Sequence, residues 1–75
     1  MIIALLDHKK LIKAMEAKNA TQEELAEEIN ITDRHLRNLR ERDTDISVSL
    51  CYRLSQVFQI PMEELLVVRE EEMEE

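Results

Sequence analysis

Along most of this chain apolar residues recur at the three- and four-residue steps of a helix, interrupted at short intervals by capping signals. Leu11, Ala14 and Met15 form one stripe, with Lys9, Lys13 and Glu16 opposite, which predicts a first helix from His8 to Lys18. Asp7 precedes it as an N-cap. Asn19 follows it as the non-glycine residue best able to take the left-handed conformation that ends a helix. Thr21-Gln22-Glu23-Glu24 spells a capping box and opens a second helix through Ile29, with Leu25, Ala26 and Ile29 inward. Asn30 again occupies a left-handed turn position. Thr32 caps a third helix from Asp33 to Arg42, in which Leu36 and Leu39 are the inward pair and the remaining positions are long and polar. Ser47 caps a fourth, from Val48 to Phe58, with Val48, Cys51, Leu54 and Phe58 inward. Pro61 stands where its missing N–H costs nothing, at the start of a fifth short helix through Leu66.

Two segments depart from this period. Met1 to Leu6 and Leu65 to Val68 are rich in β-branched residues and leucine, and they flank the helical block. They fit a small two-stranded sheet tying the ends together; the alternative for the first is one more buried turn of helix 1. Glu70 to Glu75 is expected to be a disordered tail, because its carboxylates repel and have no core to bury against. No internal repeat is present.

Seventy-five residues make one domain, with residues 1–69 as its extent. A core this small buries about 60% of the unfolded chain's surface. The absence of glycine, with 44% hydrophobic and 36% charged residues, excludes collagen-like, glycine-loop and mostly-β readings. One cysteine, Cys51, excludes an intramolecular disulfide framework and every cysteine-based zinc site; read as a buried inert thiol, it fits a reducing cytoplasm. The longest apolar run, Ile2 to Leu6, is too short to cross a membrane, and it lacks the basic start of a secretion signal.

The formal charge of −7 argues against a polyanion partner until it is divided along the chain. Residues 63–75 carry −6 of it and everything before them only −1. Within the third helix Arg34, Arg37, Arg40 and Arg42 fall in nine residues. Attraction to phosphate depends on local potential within a screening length of about 10 Å, so such a stripe binds a polyanion even on an acidic protein, more weakly than on a basic one.

Two short helices joined by the tight turn Asn30-Ile31-Thr32, the second polar over most of its surface, describe a helix-turn-helix at about residues 21–42. Small Ala26 lets the two helices cross closely. On Thr21-Gln22-Glu23-Glu24-Leu25-Ala26, Ile31-Thr32, Leu36, Leu39, Ser47, Leu54 and Glu63-Glu64-Leu65-Leu66, spaced without a gap over residues 11–66, the sequence resembles the Cro/CI-like, Xre-type helix-turn-helix family of bacterial and phage transcriptional regulators. The resemblance implies an all-α, compact five-helix, lambda-repressor-like domain, to which short terminal strands are added in some small members. It implies a sequence-specific, cytoplasmic DNA-binding regulator of repressor type, acting as a homodimer on a double-stranded operator. Glycines that the family favours are replaced here by Asn19, Asn30, Arg42 and Gln59, of which Arg42 and Gln59 are the poorer left-handed substitutes.

By correspondence with the family, the third helix enters the major groove and Asp33, Arg34, Arg37 and Asn38 match base-reading positions. Their chemistry suits base edges, for arginine bonds guanine O6 and N7 together, asparagine pairs with adenine, and aspartate accepts from cytosine. Gln22 and Thr32 match phosphate-holding helix N-termini, and His35, Arg40, Arg42 and Thr44 extend the phosphate set. Asp33 and Asp43 bring acid towards the same region. His8 reads as a surface residue of the first helical turn. Nothing in the sequence spells a nucleophile–base pair, a glycine-rich phosphate loop or metal-ligand spacing, so no catalysis, cofactor, metal or small-molecule ligand is expected. A second function class stays open: the same fold docking a basic protein partner through its acidic surfaces, as an antitoxin-like or regulator-binding module does. For a dimer surface, Tyr52, Val57, Ile60, Met62 and the terminal strands are the hydrophobic candidates.

Overall fold

The computed structural model describes residues 1–70 and runs β1 (Ile2–Leu6), α1 (His8–Lys18), α2 (Gln22–Ile29), α3 (Asp33–Glu41), α4 (Val48–Phe58), a single 3₁₀ turn (Met62–Glu64) and β2 (Leu66–Glu70). Each α-helix starts where a side chain replaces the missing backbone acceptor. The Asp7 carboxylate accepts from the Lys9 and Lys10 amides, Thr32 from that of His35 and Ser47 from that of Leu50. Thr21 and Glu24 close the full reciprocal capping box on α2. Three helices end on left-handed residues, Asn19 (φ 58°), Asn30 (φ 59°) and Gln59 (φ 56°). Gln59 therefore takes the conformation that its side chain disfavours. Arg42 does not: α3 ends on extended backbone at φ −159°, because the chain must leave directly towards β1.

The core is built almost wholly from leucine. Leu6, Leu11, Leu25, Ile29, Leu36, Leu39, Leu54 and Leu65 are fully buried, joined by Met15, Ala26, Leu50 and Cys51. Every α-helix contributes, so none holds an apolar stripe independent of the others. Ser55, the lone buried polar side chain among the described residues, donates its hydroxyl to the Ile60 carbonyl (2.8 Å) and so costs little to bury.

Two expectations need correction. The fifth helix is absent: after Pro61 the chain makes one 3₁₀ turn, closed by Glu64 and Leu65 amides on the Pro61 and Met62 carbonyls (3.0 and 2.9 Å). Leu66, Val67 and Val68 then leave as a strand, which suits the two β-branched valines better than a further helical turn. Among the described residues the fold thus has four α-helices and a sheet. The inward stripe of α4 is also displaced: Val48, read as inward, is 77% exposed at the first helical position, and Leu50 is buried instead.

The terminal segments do pair, antiparallel, with Ile2 opposite Glu70, Ala4 opposite Val68 and Leu6 opposite Leu66. Glu70, assigned to the tail by its charge, closes β2; the remainder of that acidic segment lies outside the described residues. The sheet is fastened to the helices at its base. Leu6 and Thr44 exchange backbone hydrogen bonds (2.8 and 3.2 Å), and the Asp7 amide donates to the Leu65 carbonyl (2.8 Å).

Candidate nucleic-acid interface

The tight turn from Asn30 to Thr32 sets α3 across α2, and burial of Leu36 and Leu39 fixes which way α3 faces. Residues on the opposite side follow from helical spacing: Arg34, Arg37, Asn38 and Glu41 recur at three- and four-residue steps and form the outward row. All four are exposed, as are Asp33 and His35 at its flanks. Among the described residues, Arg34, Arg37 and Asn38 make no side-chain hydrogen bond or ion pair. Their donors therefore point into solvent and stay open to a ligand.

The remaining candidates divide into two groups. Gln22 and Arg40 are brought together: the Arg40 guanidinium donates to Gln22 Oε1 (2.7 Å), while Gln22 Nε2 donates to the Asp33 carbonyl (3.3 Å). This bridge locks the start of α2 to both ends of α3. Both side chains are half-buried, and Arg40 Nε is buried with no partner among the described residues. Gln22 keeps its second amide proton, since an amide nitrogen has two. Thr32 spends its hydroxyl oxygen as the α3 cap, and Thr44 donates its hydroxyl to the Arg42 carbonyl (2.9 Å) while its backbone pairs with Leu6. Arg42 is exposed at the exit from α3.

Asp43 lies beside these residues but faces inward. Its carboxylate accepts from the His8 amide (3.1 Å) and from His8 Nδ1 (2.6 Å), and its other oxygen meets the Arg69 guanidinium. Those partners hold its carboxyl below the ordinary value of 3.8, the His8 side chain most of all and Arg69 less. An anion so engaged presents little free charge to a ligand. His8 is consequently no surface bystander: it joins the start of α1 to the loop behind α3. Asp7, His8 and Asp43 also lie close enough to share a metal ion, yet each is already used in capping or pairing. Burial pushes the Cys51 thiol above its usual range, which keeps it protonated and unreactive at neutral pH.

A family model described as helix-turn-helix, of the Cro/CI, Xre-like type, matches residues 11–65 and so takes in the 3₁₀ turn and all of the α-helices but the first turn of α1. The chain belongs to that helix-turn-helix family. Comparison with curated proteins finds no match. Membership makes this protein a DNA-binding helix-turn-helix regulator, in a family that is not typically enzymatic. Both strands fall outside the matched span, so the sheet is an addition to the helix-turn-helix core. No helix among the described residues is long and apolar enough to cross a membrane.

Two features of this helix-turn-helix protein escape a reading of the sequence. The cluster of His8, Asp43 and Arg69 joins residues separated by 35 and 26 positions, and such distant pairs leave no periodic trace. Glu41, on the outward row of α3, did leave one, in the helical spacing already visible at Arg34, Arg37 and Asn38.

Proposed function

We propose that the protein is a sequence-specific operator-binding regulator of repressor type that acts as a homodimer and sets the outward row of α3 into the major groove. One observation carries this reading: Arg34, Arg37 and Asn38 share an exposed face, and no group among the described residues engages their side chains. Arginine and asparagine bonded to base edges at this face each supply roughly 1–3 kcal/mol of discrimination. Asp33 completes the reading set at the start of the helix, where its charge is also favoured by the helix dipole. Gln22, Thr32, His35, Arg40, Arg42 and Thr44 form the phosphate-holding surround. In it the Gln22–Arg40 bridge presents an amide proton and a cation together at the start of α2. Two such helices related by a two-fold axis read half-sites about 34 Å apart. Residues 1–69 act as one DNA-binding unit, and the chemistry is binding alone, without cofactor or metal.

The experiment is a gel shift against duplexes selected from a random pool, run across a range of salt. The reading expects affinity that falls steeply with salt, through release of counterions from neutralised phosphates. It also expects loss of sequence preference in Arg34→Ala and Arg37→Ala. An undetectable complex even at low salt would overturn it. The competing reading, an acidic docking module, would then gain ground, since Glu23, Glu24, Glu27 and Glu28 stand exposed along α2.

A further inference from the structure

Both strands of the terminal sheet are edge strands, and they are guarded differently. β2 carries Arg69 and Glu70, whereas β1 reads Ile-Ile-Ala-Leu-Leu, with no charge or proline. Exposed edges of natural sheets are ordinarily blunted by charged residues, proline or bulges, because unpaired N–H and C=O groups recruit another strand. β1 has none of the three.

The hydrogen bonds at Leu6 show which of its groups are unused. Leu6 directs both its N–H and its C=O at Thr44, on the side away from β2. Backbone groups alternate sides along a strand, so Ile3 and Leu5 face β2 while Ile2 and Ala4 point theirs outward beside Thr44. The side chains there are apolar and unburied as well. Ile2 is 74% exposed, and Val68, which lies across from Ala4, is 66% exposed. A two-stranded sheet is marginal by itself, and a third or fourth strand with a shared apolar face stabilises it.

We infer that the outer edge of β1 is a homodimer seam, in which it pairs antiparallel with β1 of a second copy about a two-fold axis through Ile3. This deepens the dimeric regulator reading and rests on it for its purpose, though not for its geometry. In this register Ile2 lies opposite Ala4 of the second copy, each exchanging its N–H and C=O with the other, and Leu6 stays with Thr44. Val68, Ala4 and the second copy's Ile2 then stand side by side on one face of a four-stranded sheet. Cross-strand pairs of this kind are the unit of sheet stabilisation. A second copy suits the seam better than a charged partner strand, because the side chains of β1 from Ile2 to Leu6 are all apolar and offer a charged strand nothing to pair with. Ile3 meets Ile3 of the second copy as a non-hydrogen-bonded pair, with Cα atoms about 4.5 Å apart. That separation lies within the range a disulfide spans.

The test is light scattering on the full chain without DNA, comparing the native protein with Ala4→Pro, which removes an outward N–H that β2 does not use. The expected result is twice the chain mass for the native protein and the single-chain mass for a still-helical Ala4→Pro. A native monomer, or a dimer that survives in folded Ala4→Pro, overturns the seam. Should Ala4→Pro fail to fold, Ile3→Cys under mild oxidation decides the matter. Rapid cross-linking into a dimer, absent in Ile2→Cys, supports the register; no cross-linking at either position, or equal cross-linking at both, overturns it. Failure of the DNA reading looks different: a dimer through this edge that binds no duplex leaves the seam standing and sinks the regulator.

Discussion

α2 and α3 are nearly the same length, eight and nine residues, and are joined by one tight turn, yet they carry opposite chemistry. α2 buries Leu25, Ala26 and Ile29 and turns four glutamates to solvent. α3 buries only Leu36 and Leu39, and its outward row holds Arg34, Arg37 and Asn38 with Glu41 at its end. Their ends differ too: α2 turns back on left-handed Asn30, while α3 runs out extended through Arg42 towards Thr44 and β1. The contrast shows how little inward surface is needed to orient a helix whose outward surface is left open to solvent. Two leucines and the Gln22–Arg40 bridge set the rotation of α3, and its outward row is engaged by no other group among the described residues.

If that division is right, inner and outer substitutions on α3 separate cleanly. The largest effect is expected from Leu36→Ala, which empties a fully buried site shared by α3 and its neighbours. It should cost about 2–5 kcal/mol in urea unfolding, a large share of what so small a domain possesses. Outer-row changes such as Arg37→Ala should leave the unfolding midpoint nearly unmoved, since exposed positions without partners usually shift stability by less than about 0.5 kcal/mol. A comparable loss at both positions would abolish the distinction.

A smaller effect tests how the exit of α3 is held. The Asp43 carboxyl is depressed in the folded protein, so the stability it contributes is present above its unfolded value, near 3.8, and is lost as pH falls through the lower folded value. Asp43→Asn should therefore be less stable than the native protein at neutral pH and show a flatter decline on acidification. Urea unfolding measured from neutral pH to below 3.8 checks this, and parallel curves would remove Asp43 as the fastening of that loop.

Much of the fold was legible because its signals are local. Asp7, Thr21, Thr32 and Ser47 each bond an amide two or three residues onward, so cap and helix start are written together. Asn19 and Asn30 mark helix ends for the same reason. Where the outcome depended on distant partners the sequence left alternatives open: its β-branched and leucine-rich ends fitted a strand pair, but did not say how far that pair would cut into the fifth helix. Leu66 to Val68 became strand because β1 was there to pair with, and the fifth helix shrank to one turn in consequence. Val48 and Leu50 fit helical stripes equally well, and only the neighbouring helices decide between them. At the candidate interface, the exposure of Arg34, Arg37 and Asn38 follows from the position of Leu36 and Leu39 alone. The inward turn of Asp43 required His8 and Arg69, which no spacing connects to it.

If a duplex is received by the outward row of α3 and the start of α2, those residues feel it first. Amide and side-chain NMR shifts, followed while the native protein is titrated with a selected duplex, test this most directly. The largest changes are expected from Asn30 to Arg42 and at Gln22, with α4 and the Glu23–Glu28 face of α2 nearly still. Changes centred on those acidic or distant surfaces, with Arg34 and Arg37 unmoved, would contradict it.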